Sequence, residues 1–340
     1  MPPEPRPQSR ANGDPVHAPP ASRQPRPARP RRRPGAGPGI PQRTVTVIVP
    51  SAPGGTLDAL ARFFAQAMAP ALQRGVVVEN VSGAGGLIGL QRAARAEPDG
   101  HVLVFGNMGV LAAGMALNPD SGFDPRRDLA PVGVVAEVPM VLAASPASGI
   151  RSLPALLDRF RRQPGRLSFG TAGLGTTSHL APGFLLHLTG LQATLVAYRG
   201  SGPAMNDLAA GVVDAVIDQT VTMIPAHRGG QAFALAVAGP GRIPQVPDVP
   251  TFAEGGVPGF DMVIWNAFAA PRGTPAAAIA RLHDSLEAAL RDPDLQRRLA
   301  ELASSIPPAE ARGPAAMGRL IAADVAKWTE FVRQSGLAKE

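Results

Sequence analysis

VIVPSAPGGTLDALAR, residues 47–62, puts a run of apolar β-formers, a proline–glycine–glycine turn and a helical pattern in direct succession. Glycine tolerates positive φ and carries no Cβ, so Gly54 and Gly55 let something approach the backbone between strand and helix. The first N–H groups of a helix lack internal partners and carry the positive end of its dipole. A strand, a glycine turn and a helix start therefore suit a small anion, each exposed charge–dipole contact contributing ~0.3–1 kcal/mol. A short βα connection with no ligand fits the same residues, and this stretch alone leaves both readings open.

Outward from it the chain alternates. The patterns predict strands over 44–49, 75–80 and 101–106, helices over 56–72 and 86–96, and one or two extended segments over 130–145. The pattern then restarts, with helices over 152–164, 177–190 and 202–211 and strands over 166–170, 193–198, 214–218 and 233–238. Residues 262–271 are again extended, and two or three amphipathic helices close the chain. Strands alternating with helices imply a largely parallel α/β sheet covered on both faces. The restart implies two lobes, with crossings near 135–145 and 260–268, a hinge, and a cleft at the carboxyl ends of the strands.

Composition removes several classes. A chain of 340 residues is long enough for one large or two ordinary domains. It has no cysteine, so disulfides and thiolate chemistry are excluded. One tyrosine (Tyr198) and two tryptophans (Trp265, Trp328) are too few for base-stacking surfaces. The net charge is +7, but residues 1–41 hold eight arginines against Glu4 and Asp14, so six of the seven charges sit there. That proline- and arginine-rich segment, taken as residues 1–42, reads as a disordered leader, since it cannot bury enough surface to offset its ordering entropy. Any contact with nucleic acid or an anionic membrane would be confined to it, and none with nucleic acid is expected of the folded part.

The loops predicted to line the cleft are 50–56, 82–86, GNMG at 106–109, 170–178, 198–204 and DQTVT at 218–222. They are rich in glycine and hydroxyls and nearly uncharged, which suits backbone N–H and Ser/Thr donors to a carboxylate. Thr176, Thr177 and Ser178 also stand where a helix cap is wanted. Gly83–Gly89 falls one residue off the dinucleotide fingerprint, and there is no P-loop lysine or G-x-S-x-G elbow. A hydrolase or isomerase using His179 in the same cleft is the competing reading. Of Asp207, Asp214 and Asp218, only Asp218, at the end of its strand, is placed to face the cleft.

IVPSAPGGTLDALAR, VENVSGAGGLIGLQRAARAEPDGHVLVFGN, SFGTAGLGTTSHLAPGFL, YRGSGPAMNDLAAGVVDAVID and VPDVPTFAEGGVPGF stand in this order, with APRGTP and KWTEFVRQSG after them. Over residues 43–338 this set resembles the Bug (TctC-like) family, the extracytoplasmic solute-binding proteins of tripartite tricarboxylate transporters. The resemblance implies a two-lobed type II periplasmic-binding-protein fold, with residues 43–138 and 265–340 in lobe 1 and 139–264 in lobe 2. It implies capture of a small organic acid for uptake or sensing, without catalysis, metal or cofactor. The loops around residues 50–56 and 170–178 would grip one carboxylate from opposite lobes. Ligand-binding residues implied are Ser51, Ala52, Gly54, Gly55, Thr56, Asp58, Asn107, Thr171, Gly173, Thr176, Thr177 and Asp218, with Ser51, Asn107, Asp218 and Gln219 setting selectivity. Implied partners are the small carboxylate and the transporter's membrane components, for a monomeric periplasmic protein. The family usually carries an aromatic residue and a second proline where this chain has Ser51 and Ala52, so a wider or more polar pocket floor is expected. The arginines at 31–33 are followed by PGAGPGI rather than an apolar stretch, so this tail is not expected to act as an export signal.

Overall fold

The computed structural model describes residues 42–337, and the expected disordered leader lies outside them except for Gln42. Strand β1 (Val45–Val49) pairs in parallel with β2 (Val76–Asn80) and β3 (Val102–Asn107). Between β1 and β2 runs the Thr56–Leu72 helix, ended by Gln73 in the left-handed conformation. A second parallel set follows, with β5 (Ser168–Thr171) between β6 (Thr194–Ala197) and β7 (Ala215–Gln219).

Two long strands join the sets. β4 (Leu129–Ala144) and β9 (Val263–Pro271) run antiparallel to each other, and β9 also runs antiparallel to β3. β4 pairs with β9 up to Pro139, then from Met140 with β7, and from Val141 with β8 (Phe233–Val237). The sheet order is β2-β1-β3-β9-β4-β7-β5-β6, with β8 also on β4. The expected parallel sheet is thus parallel only within each half. The joining strands are antiparallel because a long apolar run fits either direction, and its sequence carries no mark of which.

β4 shows why such a strand can serve two halves. Leu142 and Ala144 point into the main core, while Val141 and Ala143 face the second cluster with Leu208, Val216 and Ile224. This is the period-two alternation of a strand buried on both faces. In the main core Phe64, Phe105 and Phe268 cluster with their rings tilted or edge-on to one another, the last two with ring centroids 4.6 Å apart.

Two expected loops turn out to be structured. After β3 the chain passes through Met108 into a π-helical turn, Gly109–Ala113, continued by Gly114–Leu117. Residues 218–222 are the end of β7 and the start of a helix, Thr220–Arg228.

Candidate functional site

The carboxyl ends of β1, β3, β5 and β7 converge on one small cavity, where open α/β sheets bind their ligands. It encloses about 20 Å³, room for a single water. Ser51, Thr56, Asn107, Thr176, Thr177 and Asp218, named from the sequence, line it. So do Pro50, Leu57, Val110, Ala172, Ser201 and Gln219. No lysine, arginine or histidine is among them.

What replaces positive side chains is helix polarity. The helices Thr56–Leu72, Thr177–Thr189 and Ser201–Ala210 each open at a residue that lines the cavity, and Thr220–Arg228 opens directly after Gln219, which does so too. Four dipole ends therefore point at one space, each contributing ~0.3–1 kcal/mol to an exposed anion and up to ~2 kcal/mol in partly buried geometry.

The side chains are held in place by one another. Asn107 accepts from the N–H groups of Gly109 (3.1 Å) and Val110 (3.4 Å), and its Nδ2 donates to Thr177 Oγ1 at 3.4 Å. Asn266 donates to Gln219 Oε1 at 2.9 Å from beneath. Thr222 Oγ1 lies 3.4 Å from Thr56 Oγ1 and donates to Asp218 Oδ2 at 2.9 Å. Asp218 is 2% exposed. Burial pushes its carboxyl above the usual carboxylate range, against hydrogen bonds from Ser201, the Gln219 N–H and Thr222.

Six of the residues named from the sequence do not line the cavity, for separate reasons. Ala52 and Gly54 border a neighbouring hollow of about 530 Å³ with Gly202, Pro203 and Thr222. Gly54 takes φ +84°, which only glycine adopts cheaply, and Gly55 is needed for closeness, since a Cβ there would stand 3.2 Å from Ser201 Cβ. Thr171 is fully buried behind the wall, its hydroxyl accepting from Gly173 N at 3.4 Å, and Gly173 packs toward Tyr198 O. In the sequence a cap is open to Thr176, Thr177 or Ser178; Thr176 takes the N-cap position, but without a side-chain cap bond, its hydroxyl donating to Gly173 O at 2.7 Å instead.

Asp58 faces back into its own loop. It accepts from Gly54 N, Arg62 Nε and Asn80 Nδ2, each at 3.0 Å. Burial would raise its pKa, but those hydrogen bonds win and hold the carboxyl below its usual range. Asp58→Asn puts an amide NH₂ among three donors, and is expected to cost about 1–3 kcal/mol in urea unfolding at neutral pH. Because the folded pKa is depressed, this contribution is present above pH 3.8 and is lost as pH falls through the folded value.

His179, the residue of the competing catalytic reading, is buried in the first turn of the Thr177–Thr189 helix and does not line the cavity. A larger surface hollow, about 360 Å³ between Gly183, His187, Gln192 and Ser335, shares no residue with the cavity.

The chain matches known proteins over almost all of the described part. The family model described as the tripartite tricarboxylate transporter family receptor matches residues 60–337. BugT of Bordetella pertussis is 34% identical over 300 residues, covering 87% of this chain and 90% of the relative. Among solved structures, MatC from Rhodopseudomonas palustris with bound malate is 36% identical, with TM-score 0.83 over 86% of this chain and 100% of that one. An R. palustris protein with adipate is 33% identical, with TM-score 0.82 over 87% and 98%. The periplasmic binding protein BugD is 35% identical, with TM-score 0.84 over 87% and 99%.

Proposed function

This chain belongs to the tripartite tricarboxylate transporter receptor family, and we propose that it captures its small carboxylate in the cavity between β1, β3, β5 and β7. It is a solute-binding protein and not an enzyme. The observation that carries the site is the convergence of four helix N-termini on a space that, among the described residues, no cationic side chain lines. Partial charges from backbone N–H groups hold one carboxylate without the tight desolvated ion pair that would slow its release.

The cavity is too small for an organic acid as it stands, so the walls part to admit one. We place the hinge where β4 changes partner between Pro139 and Met140, with residues 43–138 and 265–340 in one lobe and 139–264 in the other. Support comes from the pairings of β4 and from contacts between the two sets of residues beside the cavity, such as Ala52 N to Arg199 O at 3.0 Å. Ligand touching both lobes would stabilise the closed form, and the closed, monomeric protein in the periplasm would be what the transporter's membrane components read.

The test is a thermal and urea stability screen of the full chain against mono-, di- and tricarboxylates. At a hundredfold excess over Kd a ligand should add about 2.7 kcal/mol. Malate and adipate, held by two relatives, belong in the first panel. No stabilisation by any acid would overturn the carboxylate reading.

A further inference from the structure

Gln219 closes β7 at the cavity and is 1% exposed. Its Oε1 accepts from Asn266 Nδ2 at 2.9 Å. Asn266 stands on β9, is fully buried, and does not itself line the cavity. β4 pairs with β9 up to Pro139 and with β7 from Met140, so this hydrogen bond reaches from one half of the sheet to the other.

A backbone carbonyl decides which way round the two amides stand. The terminal atom of Asn266 that lies 3.0 Å from Ile264 O must be its nitrogen, because a carbonyl only accepts. The same nitrogen faces Gln219, so the Gln219 atom opposite it must be the oxygen. Turning Asn266 over would set two oxygens against each other at Ile264. Turning Gln219 over would set two NH₂ groups against each other. Leaving such buried groups unpaired is costly, so both orientations are locked. The hydrogens of Gln219 Nε2 are left for the cavity that Gln219 lines.

Resting on the carboxylate reading above, we infer that Asn266 is a positioning residue for binding, acting through Gln219. Ile264 O fixes Asn266, Asn266 fixes Gln219, and Gln219 offers the ligand an N–H donor instead of a carbonyl acceptor. The sign matters because no cationic side chain among the described residues lines the space. An amide oxygen there would face a carboxylate acceptor to acceptor, whereas an amide N–H gives it a charge-assisted hydrogen bond. Without Asn266 the glutamine is free to present either end. Preference for an anion thus depends on a residue that the ligand never touches.

The experiment is calorimetric titration of the full chain with propionate, malate, adipate and benzoate, and with any acid from the wider screen that binds more tightly. For the tightest of them, Asn266→Leu, similar in shape but without a donor, should lose about tenfold in affinity. Gln219→Met should lose at least as much. The double variant separates positioning from a general disturbance of the fold. If Asn266 acts through Gln219, adding Asn266→Leu to Gln219→Met should change the affinity by less than about threefold. Asn266→Thr keeps a β-former on the strand but has one donor hydrogen and a shorter reach. It should behave as Asn266→Leu does, which keeps the comparison available if the leucine variant folds poorly. A full further tenfold loss on top of Gln219→Met would show that Asn266 acts on the fold at large, and would overturn the inference. So would affinity within about threefold of the parent in the Asn266 variants. Either result leaves carboxylate capture intact. Binding of none of these acids, nor of any in the wider screen, would overturn both.

Discussion

Gly109→Ala is expected to abolish ligand binding, by about a hundredfold or more, while leaving the unliganded chain within about 0.5 kcal/mol of its parent. A Cβ at Gly109 would stand 2.4 Å from the backbone nitrogen of Thr177 and 2.9 Å from the carbonyl carbon of Thr176. Those are backbone atoms at the start of the Thr177–Thr189 helix, so no side-chain rotation relieves the contact. Gly109 itself opens the π-helical turn after β3, a conformation open to alanine, and the clash exists only while the two walls touch. The variant should therefore fold, sample the open form and fail to close on the acid. Gly202→Ala provides a second case at another point of contact, its Cβ falling 2.6 Å from Pro53 O. Titration with the best acid from the screen, together with urea unfolding, separates the possibilities. Affinity within about threefold of the parent would show that this contact is not part of closure. A large loss of unliganded stability would show that the two walls form a permanent interface.

How much of this was legible in the sequence depends on the range of the forces involved. Residues 56–72 are a helix from the first to the last predicted position, because apolar spacing and the preceding glycines are local signals. The Thr177–Thr189 helix likewise stops at Gly190, in the left-handed conformation that glycine takes most easily. The π-helical turn at Gly109 looks like loop in the sequence, since what holds it is the side chain of Asn107 two and three residues back and a wall supplied by residues 176–177. Ser201 lay inside a loop already assigned to the cleft, but its helix begins one residue earlier than the pattern suggested, which is what brings it to the cavity. Gln219 is a selectivity candidate in the sequence, but its support by Asn266, 47 residues away, is visible only in the fold. Asp58 shows the limit most plainly. An acid in the first turn of a helix can look outward to a ligand or back to its own loop, and only the position of Arg62 and Asn80 decides for the loop. The same holds for the direction of β4 and β9, whose apolar runs fit a parallel or an antiparallel neighbour equally well.

His179 contributes a stability that is lost in mild acid. Its side chain is 6% exposed, its Nδ1 has no hydrogen-bond partner among the described residues, and burial lowers its pKa to about 4. The unfolded chain takes up a proton near pH 6.5 while the folded chain resists it down to about pH 4. A depressed folded pKa on a histidine favours the neutral form, so its contribution is whole above the unfolded value and shrinks as pH falls toward the folded one. Between pH 6.5 and 4.5 that difference should cost about 2 kcal/mol of unfolding free energy. Asp58, Asp99, Asp124 and Asp128 are held below 3.8, Glu254, Glu287 and Glu330 below 4.5, and the buried Asp218, raised by desolvation, acts with the opposite sign, so the histidine's share is read as the difference between the parent and a variant that lacks it. His179→Leu removes this titrating group, and its urea-derived stability should lose about 2 kcal/mol less than the parent's between pH 6.5 and 4.5. Equal slopes in the two proteins would show that His179 is reached by water. The same variant bears on chemistry, because a neutral imidazole outside the cavity, protonated only near pH 4, is a poor base at neutral pH. His179→Leu should therefore bind the acid as the parent does, with the burial of the imidazole serving the helix whose open end faces the ligand.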